Sequence, residues 1–433
     1  MNLPPDRPIS GSLTLAAASF AAAFGAADVR AQSVSSEAIV ANYADVAAAM
    51  YGDALTTATR LHDVVDAFLE APDEAGLLQA RQAWLAARVP YQQTEAYRFG
   101  NPMVDEWEGR VNAWPLDEGL IDYVDRTAYG AESPENAYYA ADIVGNEQVK
   151  VGGHTLDATV IDAALLRDLH EIDAIEANVS RGYHAIEFLL WGQDLNGTEA
   201  GAGERPWTDY SLEGCTNGHC DRRAAYLRAA VDLLVADLEE MATAWRDGGE
   251  ARAALLEREP SSGLAVMLTG LGSLSYGELA GERMQLGLML HDPEEEHDCF
   301  SDNTHNSHYY DQAGMQAVAH GRYERVDGST VEGPSLLDLL AVEAPEVARD
   351  LSDALDATSE AMRAMKERAE GGEAYDQMIG AGNEEGNAVV QRVIDRLKDQ
   401  TRAIEAAVAA LDLSPIAIEG SDSLDDPNAV FFQ

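Results

Sequence analysis

Gly182-Tyr183-His184-Ala185-Ile186-Glu187-Phe188-Leu189-Leu190-Trp191 is an apolar run broken by two ionisable side chains three residues apart. At helical spacing His184 and Glu187 share one face, while Ile186, Leu189 and Leu190 belong to a more apolar side. The run closes a longer stretch of helical spacing, Ile161 to Trp191, and Gly192 to Asp221 then reads as a loop.

Outward from this stretch the signals stay helical. Ala, Leu, Glu, Asp, Gln and Arg fill long segments, and alternating β-branched runs are scarce. Ser36–Leu69 reads as one helix with a candidate break at Gly52. Ala75–Tyr97 reads as a second, which Pro90 should kink or divide, and Gly100-Asn101-Pro102 ends it. Val104–Val124 reads as loop-rich and residues 127–160 as irregular, with Gly152-Gly153 a candidate turn. Asp221 is the expected N-cap of a helix running to Trp245. Leu264–Leu290 is apolar and helical. Its glycines at 270, 272, 277, 281 and 287 predict close helix–helix approach, and Glu278, Glu282 and Arg283 exclude a membrane span. His291–Tyr310 reads as a polar loop, Ser335–Arg368 and Asn387–Leu411 as amphipathic helices, and the tail beyond Ser414 as extended or loosely held.

The fold class is therefore all-α. A chain of 433 residues exceeds one ordinary core. Asp247-Gly248-Gly249-Glu250 and Glu259-Pro260-Ser261-Ser262-Gly263 mark a composition break. Two helical-bundle domains in tandem are expected, 32–248 and 249–433, with a functional cleft between them.

The charge is lopsided: 76 acidic side chains face 29 basic ones, a net −47. Nucleic acid and anionic bilayers would repel such a chain, whereas cations and salty media suit it. Residues 1–31 read as an export signal, with a mildly apolar Gly11–Ala27 run and a small-x-small cleavage site at Val29-Arg30-Ala31. A periplasmic or cell-surface location follows, with no membrane span. Cys215 and Cys220 enclose a polar turn. A short-loop disulfide ranks ahead of a metal half-site with His219, because no second Cys/His pair completes a zinc site.

Several catalytic templates are absent. His170-Glu171 lacks the second histidine of HExxH, since Ala174 stands there; Phe188 replaces the histidine of HxxEH; Glu294/His297 is the one Glu-x-x-His pair; there is no G-x-S-x-G elbow or P-loop. His184 and Glu187 alone suit either two ligands of one cation or a buried hydrogen-bonded pair.

The wider context is more specific. Asn178–Asp194 resembles the GxHxxE signature segment of the imelysin-like family. So do Tyr97–Pro102 with Trp107–Asp117, and Glu296–His305 resembles the family's second-domain segment, closest to the iron-regulated branch. The resemblance implies two helical bundles with a site in their cleft, export, and a link to iron acquisition. It also carries a peptidase label.

The HxxE pair needs further donors. The metal set expected is His184, Glu187, Glu95 and His305, holding a divalent or ferric ion, iron or zinc. Ligand contacts are expected from Arg98, Arg110, Trp114, Asp117, Glu282, Arg283, Ser301, Asp302 and Asn303. Five of the ten histidines fall between 291 and 320, and His291, His308 and His320 read as surface residues with ordinary titration. Three functions compete: binding of a metal or small ligand in iron uptake, a metal-dependent peptidase, and a non-enzymatic partner of an outer-membrane iron-uptake component or haem protein.

Overall fold

The structure, a computed structural model, describes residues 34–151, 154–414 and 416–432. The expected export signal and the Gly152-Gly153 turn lie outside the described residues. The chain is 64% helical with 3% strand, so it is all-α.

Helix α1, Ser36–Glu70, starts at Ser35, whose hydroxyl accepts from the Ala38 amide at 3.2 Å, and runs unbroken through Gly52. Helix α2, Glu74–Gln92, is capped by Asp73 and holds Pro90 in its last turn. The stretch expected as loop from Val104 instead opens with α3, Pro102–Asn112. The helix expected to run to Tyr97 stops at Gln92, with a separate short 3-10 turn at Glu95–Tyr97, and Pro102 sits in the first turn of α3, where a missing N–H costs nothing. Strand β1 (Gln148–Val151) pairs antiparallel with β2 (His154–Asp157).

The expected helix from Ile161 to Trp191 is two helices. α4, Ala163–Leu169, ends before left-handed Glu171 and Asp173, and α5, Gly182–Trp191, begins at Gly182 with φ +87°. Every residue of α5 is buried. Its two ionisable groups are therefore part of the interior.

Helix α6, Cys220–Trp245, starts one residue ahead of the expected cap, behind the Cys215–Cys220 disulfide. Cys299 is free. After α7 (Glu250–Leu256), α8 (Pro260–Ser273) passes through a π-helical segment, Leu274–Gln285, into α9 (Leu286–Leu290) as one continuous rod. Helix α10, Thr304–His320, begins inside the expected polar loop, because Asn303 ends the irregular run. β3 (Arg322–Glu324) pairs with β4 (Thr330–Glu332). Then come α11 (Leu336–Glu343), α12 (Pro345–Glu370), α13 (Tyr375–Ile379), α14 (Glu384–Ala410) and α15 (Asp422–Asp425).

Helix α1 packs on α2 and α6, and α14 packs on α12 and the π segment. Elements from both sides of residue 249 also interpack, α1 with α8 and α2 with α10, and from Val34 onward the chain is one compact unit. Trp84 and Trp107 are core residues, with indole N–H groups donating to the Tyr183 and Asp237 carbonyls. No helix among the described residues is long and apolar enough to cross a membrane.

The glycines of the 260–290 rod are closely approached, but at Gly270, Gly277 and Gly281 by the turn at Ala96 and by the tail rather than by the neighbouring helices expected. A Cβ on Gly277 would meet the Glu419 carbonyl at 2.7 Å, and the Ser423 hydroxyl donates to the Gly281 carbonyl at 2.9 Å. The tail is thus docked, correcting the loose segment expected from its composition. A Cβ on Gly270 would lie 2.0 Å from the Ala96 carbonyl oxygen. Gly270→Ala must push two backbones apart, so a loss of roughly 2–3 kcal/mol is expected in urea unfolding. An unchanged midpoint would mean that this contact is not made in solution.

Candidate functional site

Helix α5 presents His184 and Glu187 inward, and their side chains meet, with His184 Nδ1 3.1 Å from Glu187 Oε2. Helix α2 brings Arg88. The segment between α9 and α10 brings His297, Asp298 and Ser301. The exposures are 1% for His184, 0% for Glu187, 1% for His297 and 0% for Asp298. The cluster is thus shielded from bulk solvent.

Burial, reinforced by Arg88, holds His184 down to about 3, and burial above all drives His297 well below its usual range. Burial and then the Asp298 charge push Glu187 up. Burial thus disfavours the charged form of both partners in the His184–Glu187 contact. Asp298 behaves differently. Burial would raise it, but Arg88, whose Nη2 donates to Oδ1 at 2.6 Å, holds it down to about 2. Asn303 donates to its other oxygen at 2.8 Å, as does the Ser307 hydroxyl. Glu187 Oε1 accepts from the Ser301 amide at 3.0 Å and its hydroxyl at 2.6 Å. Arg88 also donates to Asn112 at 2.6 Å.

Three potential metal donors lie close together. One nitrogen each of His184 and His297 and an oxygen of Asp298 lie within 4.8 Å of one another. Among the described residues, His184 Nε2 and both His297 nitrogens have no hydrogen-bond partner. The rings stand edge to face at 4.7 Å, and Trp114 packs against His297 at 5.5 Å while its N–H donates to the Glu296 carbonyl at 3.1 Å. Buried imidazole nitrogens without partners are costly, and neutral imidazoles with a carboxylate suit a divalent first-row ion.

A second buried network borders the first. Arg283, on the π segment, pairs with Glu95 at 2.9 Å, Glu278 at 2.7 Å and Asp311 at 3.2 Å, and Arg98 joins through Glu278 at 3.3 Å and Asp105 at 2.8 Å.

The residues expected from the sequence divide accordingly. His184, Glu187, Ser301, Asn303 and Trp114 converge on the cluster. Glu95, Arg98 and Arg283 make the neighbouring ion-pair network. Arg110 is partly exposed and pairs with Glu240 at 3.3 Å, Asp117 accepts from Asn136, and Glu282 is exposed. His305 lies in the first turn of α10 with Nε2 3.0 Å from the Asn306 amide, outside the three-donor group. Asp302 sits in a left-handed turn beside Asp376 and Asp194. His308 is fully buried and held by burial near 3, which corrects its reading as a surface residue, while His320 is exposed as expected.

Arg88, His297 and Asp298 were not singled out as site residues. His297 and Asp298 lay in plain view inside the Glu296–His305 stretch, and their adjacency there was the available signal. Arg88 gave none.

Comparison with known proteins decides the family. The Peptidase M75 model, described as imelysin, matches residues 47–404, which includes every residue of the cluster. The chain belongs to the imelysin family. Iron-regulated protein A of Synechococcus elongatus is 35% identical over 85 residues, 19% of this chain and 22% of that protein, so the match spans about a fifth of the relative's length. Two solved structures share the imelysin fold. A putative iron-regulated protein A precursor from Parabacteroides distasonis gives a TM-score of 0.59 at 16% identity, covering 87% of this chain and 95% of that one. An imelysin-like protein from Psychrobacter arcticum gives 0.56 at 17%, covering 87% and 96%.

Proposed function

We propose that this imelysin is an exported protein of iron uptake that holds a divalent or ferric metal ion, iron or zinc, at His184, His297 and Asp298, with Glu187 orienting His184. The observation that carries this reading is the pair of fully buried imidazoles beside Asp298, with His184 Nε2 and both His297 nitrogens lacking hydrogen-bond partners among the described residues. A metal ion would satisfy those lone pairs. Arg88 tempers the field, since it already neutralises Asp298. The site therefore suits an ion bound by two imidazoles and one shared carboxylate. Its donors come from both sides of residue 249. The names of the iron-regulated relatives support the iron link, and the acidic charge favours cation capture.

The burial of the cluster favours binding over peptide cleavage, because a metal-activated water must reach a polypeptide substrate. Metal analysis of untagged protein after incubation with Fe(II) or Zn(II) tests the reading. Wild type should retain roughly one equivalent, and a His184→Ala/His297→Ala variant below about a tenth. Equal, negligible metal in both would sink it.

A further inference from the structure

The segment from Pro293 to Asn303 has a second side. Glu294, Glu296 and Cys299 line a small cavity with Glu118, Asp194 and Asp376, and no Lys, Arg or His lines it. The five carboxylates come from four parts of the chain: the Glu118–Leu120 turn, the loop after α5, the segment before α10, and α13. Glu296 is 1% exposed and Asp376 2%. Among the described residues, neither oxygen of either side chain has a hydrogen-bond partner. The cavity, about 10 Å³, has room for roughly one water-sized sphere.

Glu118, Glu296 and Asp376 are buried, with Asp194 half-buried and Glu294 exposed at the rim, and the three buried carboxylates cannot all stay charged without a counter-ion. Burial and then the Glu294 charge push Glu118 up to about 8. All-oxygen ligation without imidazole selects a hard ion. Calcium accepts six to eight oxygens in flexible geometry, whereas magnesium demands a near-ideal octahedron. Among the described residues no three of these carboxylates hold oxygens within 4.8 Å of one another. The ion would thus draw the side chains inward or keep part of its water shell.

We propose that the pocket lined by Glu118, Asp194, Glu294, Glu296 and Asp376 binds one hard divalent cation of the calcium class, separate from the imidazole cluster. Such an ion would tie α13 and the Glu118 turn to the segment that carries His297 and Asp298, so its role is to brace that segment.

Calcium titration of the full chain by calorimetry, in about 150 mM salt to screen surface charge, is the test. Wild type should bind with one saturable site. Asp376→Asn/Glu294→Gln should weaken binding by about tenfold or more, while the exposed control Asp350→Asn/Asp353→Asn should not. The His184→Ala variant should keep calcium binding, which separates this site from the metal proposed above. Melting curves give a second readout. The pocket variant should melt higher than wild type without calcium, because like charges are removed, and should lose the calcium-induced rise. Absence of saturable binding in wild type, or equal affinity in wild type and the pocket variant, overturns the proposal.

Discussion

Gly182→Ala is expected to cost roughly 3 kcal/mol or more, enough to unfold a marginal protein outright. Two effects add. Gly182 has φ +87°, a backbone conformation that alanine adopts at a penalty. Its Cβ would also lie 2.6 Å from the Val111 carbonyl oxygen and 2.8 Å from the carbonyl carbon. Those are backbone atoms of α3 and cannot rotate aside, so α5 would have to move as a body. His184 is two residues further along, and its position against His297 moves with the helix. Gly328→Ala is the control. Gly328 has φ +82°, but nothing lies within 4 Å of its would-be Cβ, so it carries the conformational penalty alone, about 1 kcal/mol. Urea unfolding of both variants separates strain from contact. Equal losses for the two would show that the approach of α5 to α3 does not set the stability, and the account of this glycine would fall.

The same glycine marks what the sequence could and could not say. His184 and Glu187 were legible because helical spacing alone puts residues three apart on one face. The helix ends were less so. Ile161–Trp191 kept a helical spacing across a real break, since the turn at Glu171 and Asp173 uses left-handed conformations on residues that carry no glycine signal. Helix α5 is buried all round, so its polar residues could not be assigned to solvent or core from amphipathicity. The cluster's other members were beyond local reading. Arg88 and Asp298 are 210 positions apart, and no spacing rule links them. The docked tail depends on Ser423 meeting a π-helical carbonyl at Gly281, an interaction between segments whose composition suggests only helix and coil.

Asp122→Asn is expected to cost roughly 3–5 kcal/mol at neutral pH, although nothing in the sequence singles out position 122. Asp122 is 1% exposed and is shared by two buried arginines: Arg205 Nη1 donates to it at 2.7 Å and Arg223 Nη2 at 2.9 Å. Arg205 has a second carboxylate, Asp209, at 3.3 Å, but Arg223 has no other within salt-bridge distance among the described residues. Removing one negative charge therefore strands a buried guanidinium, and asparagine restores shape without restoring charge. The pH dependence has a definite sign. Burial would raise Asp122, but Arg205 and Arg223 hold its carboxyl below the ordinary aspartate value, about 3.9 in an unfolded chain. A group depressed in the folded state contributes stability above its unfolded value and loses it as pH falls through its folded value. The gap between wild type and variant should thus be full at neutral pH and shrink below about pH 4. Denaturant unfolding across this range measures it. A gap below about 1 kcal/mol at neutral pH is what an exposed pair would give, and it would refute the reading of Asp122 as the buried anion joining these two arginines.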